Sequence, residues 1–195
     1  DQIQGFFDIP VDNVYATPLF LADIHKQNYD DIIVVSPDVG GVSRARELAE
    51  RINADLAIVD KRRSADGEVS HMTIIGAVED RICLIVDDIC DTAGTLVKAV
   101  QLLLNQGASE VHAYITHGVL SGSAIEKIDG SDIKSLVVTD TIETTAEVAK
   151  CTKIRFVATA PMLAQAMLNI AHGSSVSSLF NHDTLGPIYE AFYPT

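Results

Sequence analysis

Residues 83–95, CLIVDDICDTAGT, place three carboxylates beside a turn built for the opposite charge. An apolar run ends in Asp87 and Asp88, and a turn with Asp91, Thr92, Ala93, Gly94 and Thr95 follows, opening a helical pattern. Such a strand-to-helix turn presents backbone N–H groups and the positive end of a helix dipole, which suits a phosphate. Ionised carboxylates only accept hydrogen bonds, so Asp87 and Asp88 suit vicinal hydroxyls or a hard cation such as Mg²⁺. A ligand with a phosphate at one end and hydroxyls at the other, a sugar phosphate, satisfies both demands. The bland alternative is an ordinary acidic turn after a strand, which a bare pair of aspartates alone would suggest.

Two further stretches carry charge or glycine where a strand ends. In SPDVGG (36–41), Gly40 and Gly41 let the backbone approach an anion closely. Asp38 there is either a ligand or a turn-stabilising acid after Pro37. In DKRR (60–63), Lys61, Arg62 and Arg63 form a solvated charge run unless something anionic faces them. His117 is read as a turn or core residue, and the other five histidines show no ligand spacing.

These loops need strands and helices to position them. Apolar runs at 32–36, 56–60, 82–86, 111–116, 135–139 and 153–158 are hydrophobic on both faces, as strands of a covered parallel sheet are. Helical patterns lie between: Thr17-Pro18 as N-cap and first turn of LFLADIHKQ, VSRARELAERI after Gly41, TLVKAVQLLLNQG from Thr95 to a stop at Gly107, and a stretch from about Thr159 to Gly173. The alternation predicts an α/β fold, a mostly parallel sheet with helices on both faces and ligands beyond the carboxyl ends of the strands. The composition, 47% hydrophobic and 21% charged over 195 residues, fits one globular domain. A net charge of −13 disfavours nucleic acid, which needs a basic footprint. No apolar run reaches the ~18 residues of a membrane span. Cys83, Cys90 and Cys151 lack zinc or disulfide spacing and suit small buried apolar positions in a reducing, cytoplasmic setting.

QIQGFFDIPVDN, VSPDVGGVSRA, DKRR, the 83–95 motif and THGVLSG occur in the order found in ribose-phosphate pyrophosphokinases (PRPP synthetases), which the chain resembles through nearly its whole length. The resemblance implies a phosphoribosyltransferase-type fold. It also implies transfer of pyrophosphate from Mg-ATP to O1 of ribose 5-phosphate, giving PRPP and AMP in nucleotide biosynthesis. Asp91, Thr92, Ala93, Gly94 and Thr95 would bind the 5-phosphate, and Asp87 and Asp88 the ribose hydroxyls. Asp38, Val39, Gly40 and Gly41 would form the pyrophosphate-side loop, with Asp38 the magnesium-binding acid. Lys61 and Arg63 would be catalytic, on a flexible loop closing over the triphosphate. Asp66 and Glu68 depart from that loop's usual composition. Ser175, Ser177 and Phe180 match a regulatory site for ADP or phosphate in allosteric relatives; a tail strand tucked into a core is the plain alternative.

The family has two similar α/β domains, and this sequence corresponds to the second, with 1–15 as the joining remnant and 172–195 as a C-terminal tail. A catalytic histidine of the family would fall just upstream of Asp1, so the chain alone is expected to bind sugar phosphate without turnover. A homo-oligomer, dimer or hexamer, is implied. Two other readings stay open: a phosphoribosyltransferase, for which no aromatic base-stacking hood is evident, and a non-catalytic regulatory relative of the synthetase.

Overall fold

The computed structural model describes residues 2–63 and 69–180. It divides into two compact units, residues 27–157 and the segments on either side of them. The central unit holds a seven-stranded sheet: β1 (Ile32–Ser36), β2 (Asp55–Arg63), β3 (Val69–Ile75), β4 (Ile82–Cys90), β5 (Glu110–Gly118), β6 (Ser135–Thr139) and β7 (Ile154–Val157). Their spatial order is β3-β2-β1-β4-β5-β6-β7, parallel except for edge strand β3.

Helices α2 (Val42–Arg51), α3 (Gly94–Asn105) and α4 (Ala124–Asp129) connect parallel strands, while α1 (Thr17–Gln27) and α5 (Ala160–Ala171) lie outside the sheet connections. From β1 the chain steps through α2 toward β2; from β4 it steps through α3 the other way, toward β5. Right-handed crossovers in opposite directions put α2 and α3 on opposite faces. Strand alternation shows the same division. Ile33, Val35, Cys83, Ile85, Val111, Ala113 and Ile115 share one buried cluster with Ala99, Val100 and Leu103 of α3 and Ile128 of α4. The intervening Val34, Leu84, Val86 and Tyr114 are buried away from that cluster, where Ala45, Leu48 and Ala49 of α2 cover the sheet.

The expected α/β architecture holds, with revised element ends. Two strands run on through charge: β4 does not stop at Val86 but continues to Cys90, because β5 keeps pairing it as far as Cys90 with Gly118. Asp87 and Asp88 are therefore strand residues, not turn residues. Likewise β2 continues through DKRR, because VSHMTII folds back as β3 and pairs Lys61 with Met72. That strand was not expected from sequence, nor was the short α4. Helix α1 starts one residue earlier than predicted: Thr17 is its first residue rather than its cap, and Ala16 supplies the first carbonyl, to Leu19 and Phe20. Gly107, with φ +87°, follows α3 as expected of its terminator. All three cysteines are free and buried.

The flanking unit contains α1, α5 and 3₁₀ turns at Gln2–Phe6 and Val176–Phe180. The 175–180 segment is a turn rather than a tail strand: Asn169 of α5 donates to the Ser175 carbonyl (2.9 Å) and to Ser178 Oγ (3.2 Å). Phe180 stacks obliquely on Tyr15, ring centroids 5.8 Å apart. The tail beyond 180, and Asp66 and Glu68, lie outside the described residues. Among those described, no helix is long and apolar enough to cross a membrane.

Candidate functional site

Neighbours β1 and β4 send their following helices to opposite sides of the sheet, and this switch point opens a crevice at their carboxyl ends. β1 pairs with β4 only as far as Val35 with Ile85, whereas β4 remains paired to β5 up to Cys90. One edge of residues 86–90 is thus turned to the loop after β1 instead of to a strand. A cavity of about 550 Å³ lies there, lined by Asp38, Val39 and Gly40 from the β1 loop, Asp87 from β4 and the whole of Asp91–Thr95. Most of the sequence-predicted anion loop, Asp87 of the two ribose acids and the phosphate loop therefore meet in one place, while Asp88 and Gly41 lie off the cavity wall.

The phosphate-side loop owes its shape to Ala93, which sits at φ 57° in the left-handed region, a conformation that costs an L-residue roughly 1–2 kcal/mol. It precedes α3, whose N-terminus has no side-chain cap. The first N–H groups of a helix lack intrahelical acceptors, and the first helical bond here runs from Val97 to the Ala93 carbonyl. Gly94, Thr95 and Leu96 thus offer donors on the cavity wall. The loop after β5 braces this turn. Leu120 and Ser121 donate their N–H groups to the Cys90 and Asp91 carbonyls (3.1 and 3.0 Å), and the Ser121 hydroxyl donates to Asp91 Oδ1. Lys127 of α4 donates to the Thr92 carbonyl (2.9 Å). Asp91 is thus committed to bracing the loop.

The β1 loop is equally pinned. Asp38 Oδ1 accepts from the Gly41 N–H (2.9 Å), and the buried Ser36 hydroxyl donates to the Asp38 carbonyl (2.7 Å). Asp38 therefore does stabilise its turn, as the plain reading held, while lining the cavity. A Cβ on Gly41 would stand 2.9 Å from Ser36 Oγ, so the position excludes any side chain without rearrangement.

Asp87 and Asp88 are tied together by Arg44, from the first turn of α2. Its Nη1 donates to Asp87 Oδ1 (2.9 Å) and its Nη2 to Asp88 Oδ2 (2.8 Å). Burial pushes the Asp87 carboxyl up to about 6; the adjacent Asp88 carboxylate adds to the rise, while the Asp88 N–H and Arg44 oppose it. Cys90, on the same wall, is pushed up to about 11 by burial, so its thiol stays protonated at neutral pH and is no nucleophile. Arg44 escaped the sequence analysis. Only half the signal is in the sequence: two adjacent acids at a strand end call for a cation, but which helix supplies it depends on the pairing of β1 with β4.

Lys61 and Arg63 lie on a β-ribbon, not on an irregular loop. β1 ends where Ser36 pairs with Ile58, so Val59–Arg63 run past it, paired with β3 among the described strands. Five residues at ~3.3 Å each carry the backbone about 16 Å beyond the end of β1. His117 is a paired strand residue of β5 rather than a turn or core one, and its Nδ1 bonds the Thr141 hydroxyl (2.8 Å) beside a β-bulge. Among the described residues no group of three or more His, Cys, Asp or Glu could enclose a metal. Mg²⁺ bound through one carboxylate, with substrate phosphates and water completing its shell, asks for less than that, and Asp38 fits such a role.

The phosphoribosyl synthetase-associated domain family matches residues 63–181. The chain belongs to that family. As a phosphoribosyl synthetase-associated chain it is 63% identical over 195 residues to a ribose-phosphate pyrophosphokinase of Cereibacter sphaeroides, covering 98% of this chain and 58% of that relative. It is 58% identical over 180 residues to a ribose-phosphate pyrophosphokinase of Burkholderia pseudomallei, covering 92% and 57%. The phosphoribosylpyrophosphate synthetase of Mycobacterium smegmatis superposes with a TM-score of 0.79 at 34% identity, over 89% of this chain and 56% of that one. The chain thus spans somewhat over half the length of the relatives it matches. The mostly parallel α/β sheet of phosphoribosyltransferase type, expected from sequence, is the fold found.

Proposed function

We propose that this chain forms the sugar-phosphate and pyrophosphate-side part of a ribose-phosphate pyrophosphokinase, transferring pyrophosphate from Mg-ATP to O1 of ribose 5-phosphate. The observation that carries the proposal is one crevice in which an open helix N-terminus, a glycine turn and the Asp87 carboxyl converge, with Asp88 joined to Asp87 through Arg44. The names of the relatives support the same reaction over base transfer.

In this reading the N–H groups of Gly94 and Thr95, with the Thr92 and Thr95 hydroxyls, hold the 5-phosphate, and Asp87 and Asp88 accept from the ribose hydroxyls. The sugar is then fixed with C1 toward the β1 loop. Its O1 attacks the β-phosphorus of ATP and loses its proton; the bond from that phosphorus to the α,β-bridging oxygen breaks and AMP leaves. Gly40 and Gly41 let backbone N–H groups approach the pyrophosphoryl oxygens. Mg²⁺, when bound beside Asp38, offsets charge on the phosphates. Lys61 and Arg63, carried by the β2–β3 ribbon, supply cations where negative charge gathers. Arg63 can bind phosphate oxygens in a fork, and Lys61 acts as a point charge. Positioning and charge do most of the work in phosphoryl-type transfer.

In this reading the chain binds ribose 5-phosphate in the crevice. Calorimetric titration of ribose 5-phosphate with Mg²⁺ tests this directly. We expect saturable binding, weakened about tenfold in Thr95→Ala, the loss of about one charge-assisted hydrogen bond. Thr95 is exposed on the cavity wall, so the substitution leaves the fold intact. No binding at millimolar ligand, or full affinity in Thr95→Ala, would remove the sugar phosphate from this loop.

A further inference from the structure

Successive residues of a strand point to opposite faces, so Asp87 and Asp88 do not form an acceptor pair unaided. Three features converge on what pairs them. The edge of β4 facing the β1 loop has lost its strand partner beyond Ile85, leaving room for a side chain from α2. Gly41 stands under that side chain: a Cβ there would lie 3.6 Å from Arg44 Nη1. The Arg44 guanidinium then spans both acids, one nitrogen to each. Among the described residues, Asp87 accepts from Arg44 and from the Asp88 N–H, Asp88 accepts from Arg44, and the two carboxyls also interact directly with each other.

Building on the sugar-phosphate reading, we propose that Arg44 is a positioning residue for ribose recognition, its guanidinium holding Asp87 and Asp88 as a fixed double acceptor for the vicinal 2- and 3-hydroxyls. The planar fork sets the spacing of the two carboxylates before any sugar arrives, so less ordering remains to be done on binding. It also offsets one of the two adjacent negative charges, which keeps the phosphate of the incoming ligand from meeting an uncompensated pair. Arg44 reaches from the helix that follows the pyrophosphate-side loop to the strand that carries the ribose acids. The two halves of the crevice are therefore linked through one side chain.

The test titrates ribose 5-phosphate, 2-deoxyribose 5-phosphate and inorganic phosphate into this chain and into Arg44→Gln and Arg44→Lys. The expected result for Arg44→Gln is a loss of about tenfold or more in ribose 5-phosphate affinity and a collapse of the preference for ribose over 2-deoxyribose. Its affinity for inorganic phosphate should stay within about twofold of the parent, because the 92–95 loop is untouched. Lysine, a point charge without the fork, should fail to restore the preference. Unchanged discrimination in Arg44→Gln overturns the proposal. So does an equal loss for all three ligands, which makes Arg44 a general support of the fold. Full rescue by lysine does so too, since charge alone would then suffice. Should the glutamine variant not fold, the lysine variant alone decides between fork and charge. A parent chain that binds neither sugar phosphate overturns the sugar-phosphate reading itself, and this proposal with it.

Discussion

At the scale of single residues, the site is expensive to hold together, and Asp87 shows where. Its carboxyl ionises near pH 6 in the folded chain against an ordinary value of 3.8, chiefly because it is buried. Between those values the folded state keeps a proton that the unfolded state has released. Stability therefore falls as pH rises through this window, and the deficit persists above it. Asp87→Asn removes the titration and keeps an oxygen to accept from Arg44. Urea denaturation should find the variant more stable than the parent at pH 8, by on the order of 1–3 kcal/mol, and no more stable at pH 3.5. A gain of equal size at both pH values would mean that burial of the charge is not its origin. Arg44 is the corresponding residue that sequence could not assign: an arginine in the first turn of a polar helix looks like any solvated charge until the register of β1 and β4 is known. Asp38 was legible in part, its place in the glycine turn foreseeable, its bond to the Gly41 N–H not.

At the scale of elements, the strand cores and the long helices were legible because apolar runs of five or six residues between helical periods have few alternatives. Their ends were not. An apolar-run rule stops at the first charge, yet β4 continues through Asp87 and Asp88 because β5 supplies partners that lie far off in sequence. β3 was missed for a similar reason: VSHMTII mixes polar and apolar residues as a one-sided edge strand does, and its pairing with the DKRR run becomes evident only in the folded ribbon. The β1–α2 turn gives the sharpest prediction at this scale. Gly41 has φ −83°, which alanine adopts without strain, so Gly41→Ala acts through its added methyl alone. That methyl meets the hydroxyl of buried Ser36, which already bonds the Asp38 carbonyl. Thermal or urea unfolding should show a loss of about 1–3 kcal/mol, and the double variant Ser36→Ala, Gly41→Ala should recover part of it.

At the scale of the whole molecule, apolar surface remains on α5, where Leu163, Met167, Leu168 and Ile170 are 43–67% exposed. A helix that is apolar nearly all round is ordinarily covered, and we propose a second copy of this chain as what covers it. Sedimentation should give a mass above that of one 21.0 kDa chain, falling toward it in Met167→Glu; a single-chain mass for the parent would refute the placement. The sheet has a different lesson. β1 and β4 lie side by side at its centre although Ile32 pairs with Ile82, fifty residues along the chain. Contacts so distant in sequence close late and slowly, and the crevice does not exist before they close. During refolding, then, the sugar phosphate should leave the early rate unaltered and slow only unfolding, acting as a lock on a finished sheet and never as a template for building one.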